Sequence, residues 1–157
     1  MTLGHLNVIK RAARCFDRLV VCVMVNAEKD TGLFTPEERV ELLQRVTQKL
    51  PNVEIDQYQG LVAEYARLQK ACTLVKGLRA VSDYEKEVQM AMINKKLNPQ
   101  LDTMFLPSGT KYTYLSSSVV KEMARYGADL SDFVPREIIE DVNKKMTSRR
   151  NGSWPPV

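Results

Sequence analysis

Apolar and polar positions along the chain alternate between two periods. Leu6, Ile9, Ala13 and Phe16 recur at helical spacing, which predicts a helix over residues 4–16. Leu19–Val25 (LVVCVMV) is an unbroken, largely β-branched run, the pattern of a strand covered on both faces. Thr35-Pro36-Glu37-Glu38 reads as a capping box with proline at the first helical position, followed by Leu42, Leu43, Val46 and Leu50 on one face. Val53–Tyr58 alternates as a short strand, residues 61–69 return to helical spacing, and Thr73–Lys76 is a further strand. Ser82-Asp83-Tyr84-Glu85 reads as a second capping box, opening a helix to about Leu97 with Met90, Ala91 and Met92 as core positions. Thr103–Leu106 is a fourth strand, a helix starts near Ser116 and stops at Gly127, and Pro135 starts the last one. From Ser148 to Val157 the periodicity is lost, and Gly152, Pro155 and Pro156 predict a disordered tail after a single domain over residues 1–147.

Strands separated by single helices predict an α/β fold, a Rossmann-like doubly wound parallel sheet with ligands at the carboxyl ends of the strands. One irregularity stands out. The chain enters on a helix, whereas folds of this order place their first strand centrally. The N-terminal central strand is therefore expected to be missing, leaving Leu19–Val25 and the strand beyond the gap each with a row of unpaired backbone groups.

Composition changes this picture little. The 157 residues are 44% hydrophobic and 27% charged, as in a soluble globular domain. The longest apolar run is far shorter than the roughly 20 residues that cross a bilayer, and the first residues lack the pattern of a signal peptide. A cytoplasmic protein with no membrane partner is expected. Cys15, Cys22 and Cys72 show no C-x-x-C spacing, and the chain has 1 histidine, so the cysteines are expected to be reduced, mostly buried thiols and no metal site is expected. The net charge of +4 suits anionic ligands. Half of that excess lies in residues 135–157, where Arg136, Lys144, Lys145, Arg149 and Arg150 outnumber Glu137, Glu140 and Asp141. It forms no aromatic-interleaved basic stripe, so nucleic acid is not an expected partner.

Several short motifs suit phosphate chemistry. Gly4-His5 at a helix start combines close backbone approach, the positive end of a helix dipole and an imidazole. Ser116-Ser117-Ser118 opens another helix; one serine is enough to cap it, and three offer hydroxyls and free amides to an anion. Lys76-Gly77-Leu78-Arg79 follows a strand and places two cations where they can straddle a polyphosphate, although such a tetrapeptide also serves as an ordinary turn. Lys29, in the loop after Leu19–Val25, lies on the same edge, where a solvated lysine is equally common.

Taken together, T-L-G-H (2–5), N-A-E-K (26–29), L-F-T-P-E-E-R-V-E-L (33–42), K-G-L-R-A-V-S-D-Y-E (76–85), Q-M-A-M-I-N-K-K-L-N-P (89–99) and Y-L-S-S-S-V-V-K-E-M-A-R (114–125) closely resemble the bacterial phosphopantetheine adenylyltransferase family, of the nucleotidylyltransferase superfamily. The resemblance runs from Thr2 to about Lys145. It implies transfer of AMP from ATP to 4′-phosphopantetheine, giving dephospho-coenzyme A and pyrophosphate, with coenzyme A as a possible product-type ligand. It also implies His5 on the α-phosphate as the catalytic residue, and Lys29, Val62 and Lys76 at the acceptor. The nucleotide would be bound by His5, Gly77, Leu78, Arg79, Glu87, Tyr112, Thr113, Tyr114, Leu115, Ser116, Ser117 and Ser118. Mg2+ would be carried with ATP, and a homohexamer is implied. The chain departs from the family in having Lys76 where arginine is usual, Lys86 for a common tyrosine, Tyr112 for a frequent tryptophan, and one extra residue within 30–33. The family's first strand and Gly-Ser/Thr-Phe-Asp-Pro turn have no counterpart before Thr2. The residues therefore also admit a related nucleotidylyltransferase with another phosphate acceptor, or an inactive nucleotide- or coenzyme A-binding remnant.

Overall fold

The computed structural model describes residues 1–25 and 32–153. Helix α1 (Leu3–Ala12) begins where Thr2 turns extended and caps it, and it buries Leu6, Ile9 and Ala12. It ends at Ala12 rather than at Phe16. Asn52 draws the chain into a turn there, donating from Nδ2 to the carbonyls of Ala13 at 2.7 Å and Phe16 at 2.8 Å. The Thr35 capping box forms as its spacing predicts: Glu38 returns a bond to the Thr35 amide, and α2 (Pro36–Thr47) buries Leu42 and Val46. Helices α3 (Val62–Leu68), α4 (Val81–Leu97), α5 (Ser117–Arg125) and α6 (Ile139–Ser153) follow, with short 3₁₀ turns at Thr110–Tyr112 and Arg136–Ile138. Gly127 stops the chain after α5 in the left-handed region at φ +71°, and the Ala128 amide returns to the Met123 carbonyl at 3.0 Å.

Strand β1 (Leu19–Val25) pairs in parallel with β2 (Val53–Gln59), and β3 (Thr73–Leu78) pairs in parallel with β4 (Asp102–Pro107). Among the described residues these are two separate pairs, so β1 and β3 each hydrogen-bond to one neighbour only. The apolar β1 run consequently has a single buried residue, Val23, where a strand inside a continuous parallel sheet would be covered throughout. Helix α1 packs on β3 so closely that a Cβ added to Gly77 would lie 2.7 Å from Val8 Cγ2. Arg11 also reaches the Pro107 carbonyl at the end of β4.

The main core forms instead among helices: Leu6 of α1, Leu42 and Val46 of α2, Val120 and Ala124 of α5 and Val142 of α6 surround Leu115, Leu130, Val134 and Ile138. Ion pairs of Arg45 with Asp141 and of Lys145 with Glu38 tie α2 to α6, each helix giving one cation and one anion.

Four further expectations change. Helix α4 begins at Val81, with Ala80 as an N-cap that makes no side-chain bond, and not through a box at Ser82. Asp83 is engaged elsewhere, accepting from Arg79. Met90 and Met92 are exposed rather than core, because apolar residues are spread around α4 and only part of its circumference packs against α3, β3 and β4. The thiols are free, but Cys15 and Cys72 lie exposed in the turns after α1 and before β3, and Cys22 is half-buried. Helix α6 continues past Ser148 to Ser153, since backbone bonding needs no apolar stripe; Thr147 and Ser148 also turn their hydroxyls back to the Asn143 and Lys145 carbonyls. Residues 154–157 lie outside the described residues.

Candidate active site

A cleft of about 370 Å³ is lined by His5, Gly77, Arg79, Asp83, Glu87, Ser116, Ser117 and Ser118. It brings together three segments far apart in the chain: the start of α1, the end of β3 with the first turns of α4, and the start of α5.

The His5 ring is fixed by the helix it opens. Thr2 Oγ1 accepts the His5 amide at 3.4 Å, and the Thr2 amide donates to His5 Nδ1 at 3.1 Å. The Thr2 hydroxyl lies 2.9 Å from the same Nδ1. Since an amide can only donate, Nδ1 is the acceptor and the ring proton sits on Nε2. Desolvation lowers the imidazole pKa to about 4, helped by the positive charges of the Met1 amino group, Arg79 and Arg39. At neutral pH, His5 is an uncharged donor whose ring edge lines the cleft. The Leu3 amide is taken by the Phe133 carbonyl at 2.9 Å, whereas the Gly4 amide has no partner among the described residues. This leaves one helix-terminal N–H beside the imidazole.

At α5, Ser116 is the cap, its Oγ accepting the Val119 amide at 3.1 Å. Ser117 and Ser118 have no hydrogen-bond partner for their hydroxyls or amides among the described residues, and both line the cleft. The serine triplet thus divides its work: one residue holds the helix, two face the cavity.

Arg79 is held from two sides. Its Nε and amide donate to Asp83 Oδ2 at 3.0 and 3.2 Å, and Nη1 donates to the Leu115 carbonyl at 3.0 Å. The Arg79 guanidinium keeps the Asp83 carboxyl below its usual range. Asp83, inside the Ser82–Glu85 motif, lines the cleft, and its i,i+4 spacing from Arg79 is the sequence signal for their pairing. Lys76 and Glu87 form an ion pair at 3.2 Å.

Other candidates stand further from the cleft lining. Leu78 gives its carbonyl to the Ser108 amide at 2.7 Å. Tyr112 packs toward Gly4, where a Cβ would lie 3.5 Å from the Tyr112 Cβ. Thr113 closes its turn on the Thr110 carbonyl, and Tyr114 stacks edge-on against Phe133 with ring centroids 6.5 Å apart. Leu115 is core and meets the site only through its carbonyl. Val62 opens α3 at the carboxyl end of β2. Lys29 lies outside the described residues.

The Cytidylyltransferase-like family matches residues 1–123. A phosphopantetheine adenylyltransferase from Caldanaerobacter subterraneus subsp. tengcongensis is 51% identical over 145 residues, covering 92% of this chain and 90% of that protein. One from Clostridium botulinum strain Hall is 47% identical over 150 residues, covering 96% and 91% respectively. With a histidine donor at one helix start, two free serines at another and an anchored arginine between them, the chain belongs to the Cytidylyltransferase-like family and, within it, to the phosphopantetheine adenylyltransferases.

Proposed function

We propose that the protein transfers AMP from ATP to 4′-phosphopantetheine, yielding dephospho-coenzyme A and pyrophosphate. The observation that carries this reading is the convergence of the neutral His5 donor, Arg79 and the two free serines of α5 on one cleft. An oxygen of the acceptor phosphate attacks the α-phosphorus in line. The bond from that phosphorus to the bridging oxygen breaks, and pyrophosphate leaves with the electron pair. Negative charge on the α-phosphoryl oxygens is met by His5 Nε2–H and the Gly4 amide. Arg79 and the amides and hydroxyls of Ser117 and Ser118 hold the β- and γ-phosphates. Positioning and charge stabilisation suffice, and no covalent enzyme intermediate is required.

Lys76 leaves Glu87 to neutralise the acceptor phosphate, together with Lys29, and Val62 contacts the pantetheine arm. Glu87, released, turns to the nucleotide, with Leu78 and the residues 112–115 shaping its pocket. Mg2+ enters as part of the nucleotide substrate, an ion that keeps several waters and binds largely through phosphates. The two carboxylates in the cleft, Asp83 and Glu87, are paired with Arg79 and Lys76, so the ion would be held mainly by the nucleotide. Assembly as a homohexamer, a cytoplasmic location and coenzyme A as a product-type ligand complete the reading. Among the described residues no helix is long and apolar enough to cross a membrane.

Pyrophosphate release with ATP and 4′-phosphopantetheine, set beside CTP and other phosphate acceptors, tests the assignment. His5→Ala is expected to lower kcat by at least about a hundredfold while the KM for ATP changes little, because the donor acts mainly as charge develops. Preference for another nucleotide or acceptor would sink the substrate assignment. Near-normal turnover of His5→Ala would remove His5 from the chemistry.

A further inference from the structure

Of the two hydrogen bonds that orient the His5 ring, one comes from a side chain. Thr2 is 2% exposed, the least accessible polar residue of the site region, and its hydroxyl lies 2.9 Å from Nδ1. That hydroxyl has two neighbours: it accepts the His5 amide at 3.4 Å, which leaves its own proton free to point at the ring. The Thr2 amide converges on the same nitrogen at 3.1 Å. Two donors on Nδ1 disfavour a proton there, so they select the tautomer protonated on Nε2 and hold the ring at one angle.

We propose that Thr2 is a positioning residue for the reaction, its hydroxyl locking His5 as an Nε2–H donor aimed into the cleft. The proposal rests on the adenylyl-transfer reading for what the donor does, but not for whether the lock exists. A helix cap needs only an acceptor oxygen at Thr2. A tautomer lock needs a donor there as well, and this separates the two roles. Thr2→Ser keeps both functions, Thr2→Val loses the cap and the hydroxyl donor but keeps the backbone amide on Nδ1, and Thr2→Asp keeps the cap while replacing the donor with an acceptor that draws the proton onto Nδ1.

His5 is the 1 histidine of the chain, so ¹⁵N–¹H correlation spectra of its ring need no assignment. The unaltered protein and Thr2→Ser are expected to show the Nε2–H tautomer and a midpoint below the ordinary histidine value. Thr2→Asp should shift population to Nδ1–H or imidazolium and raise that midpoint. Its kcat should fall by about tenfold or more, with the KM for ATP within about twofold, as for a misaligned reacting group. Thr2→Val is expected to keep the Nε2–H tautomer through the backbone amide while losing some thermal stability, whereas a melt of Thr2→Asp should match that of Thr2→Ser. If Thr2→Asp retains the Nε2–H tautomer and normal kcat, Thr2 is a cap and nothing more. If the tautomer flips while kcat is unchanged, the lock is real but the ring's orientation does not serve the reaction. The positioning role then fails, and His5→Ala shows whether the catalytic reading fails with it.

Discussion

Burial sets the His5 pKa to about 4 against an ordinary value of 6.5, and the consequence reaches stability as well as chemistry. As pH falls from about 6.5 towards 4, the unfolded chain binds a proton on this ring that the folded protein refuses. Protons therefore favour unfolding across that window, and stability rises again with pH. The urea midpoint should drop on acidification through this range, and His5→Gln should show a shallower drop. Equal slopes in the two proteins would mean the ring is not desolvated as the geometry implies. At Lys76 the expected effect is on binding. Its ion pair with Glu87 at 3.2 Å already shows that it can reach an anion at the cleft. Lys76→Ala should raise the KM for 4′-phosphopantetheine more than the KM for ATP, in steady-state assays varying each substrate. A lysine would act there as a point charge, without the bidentate grip of an arginine. Equal effects on both substrates would move it away from the acceptor.

At the scale of elements, α5 commits one of three adjacent serines to its cap and leaves the other two lining the cleft. Ser116 is committed to the Val119 amide at 3.1 Å. Ser116→Ala should therefore cost about 1 kcal/mol of stability and change the KM for ATP only modestly. Ser117→Ala and Ser118→Ala should do the reverse, raising the KM for ATP while leaving the melting temperature nearly fixed. Thermal melts and initial-rate kinetics on the three variants decide it, and a uniform effect on both quantities would argue against the division. The same logic explains why α1 and α5 converge. Each buries one face in a shared core, through Leu6 on α1 and through Val120 and Ala124 on α5, and that packing turns both amino ends toward the end of β3.

Across the whole molecule, the sheet is the weak part. Among the described residues the two strand pairs are not joined, β1 buries only Val23, and the main core lies among helices. A backbone group buried without a partner costs about 1–3 kcal/mol, against a total domain stability of about 5–15 kcal/mol, so such edges must stay wet or be covered.

Much of this protein was legible from residues alone. Local physics fixes the strand and helix periods, the Thr35 box, the Gly127 stop and the chemistry of the motifs at His5, Lys76–Arg79 and Ser116–Ser118, because each depends on neighbours a few positions away. The ends of α1 and α4 were misread for the opposite reason. Asn52, just before β2, ends α1 by binding the Ala13 and Phe16 carbonyls, and Arg79 claims Asp83 as an ion partner. The exposure of Met90, Met92, Cys15 and Cys72 was equally hidden, since an apolar residue is buried only where another element arrives to cover it. The sequence determined which groups could meet a phosphate. The tertiary structure decided which of them share a cleft, which serine is spent on a cap and which nitrogen of His5 carries the proton, because those outcomes depend on contacts and desolvation that form only when distant segments pack together.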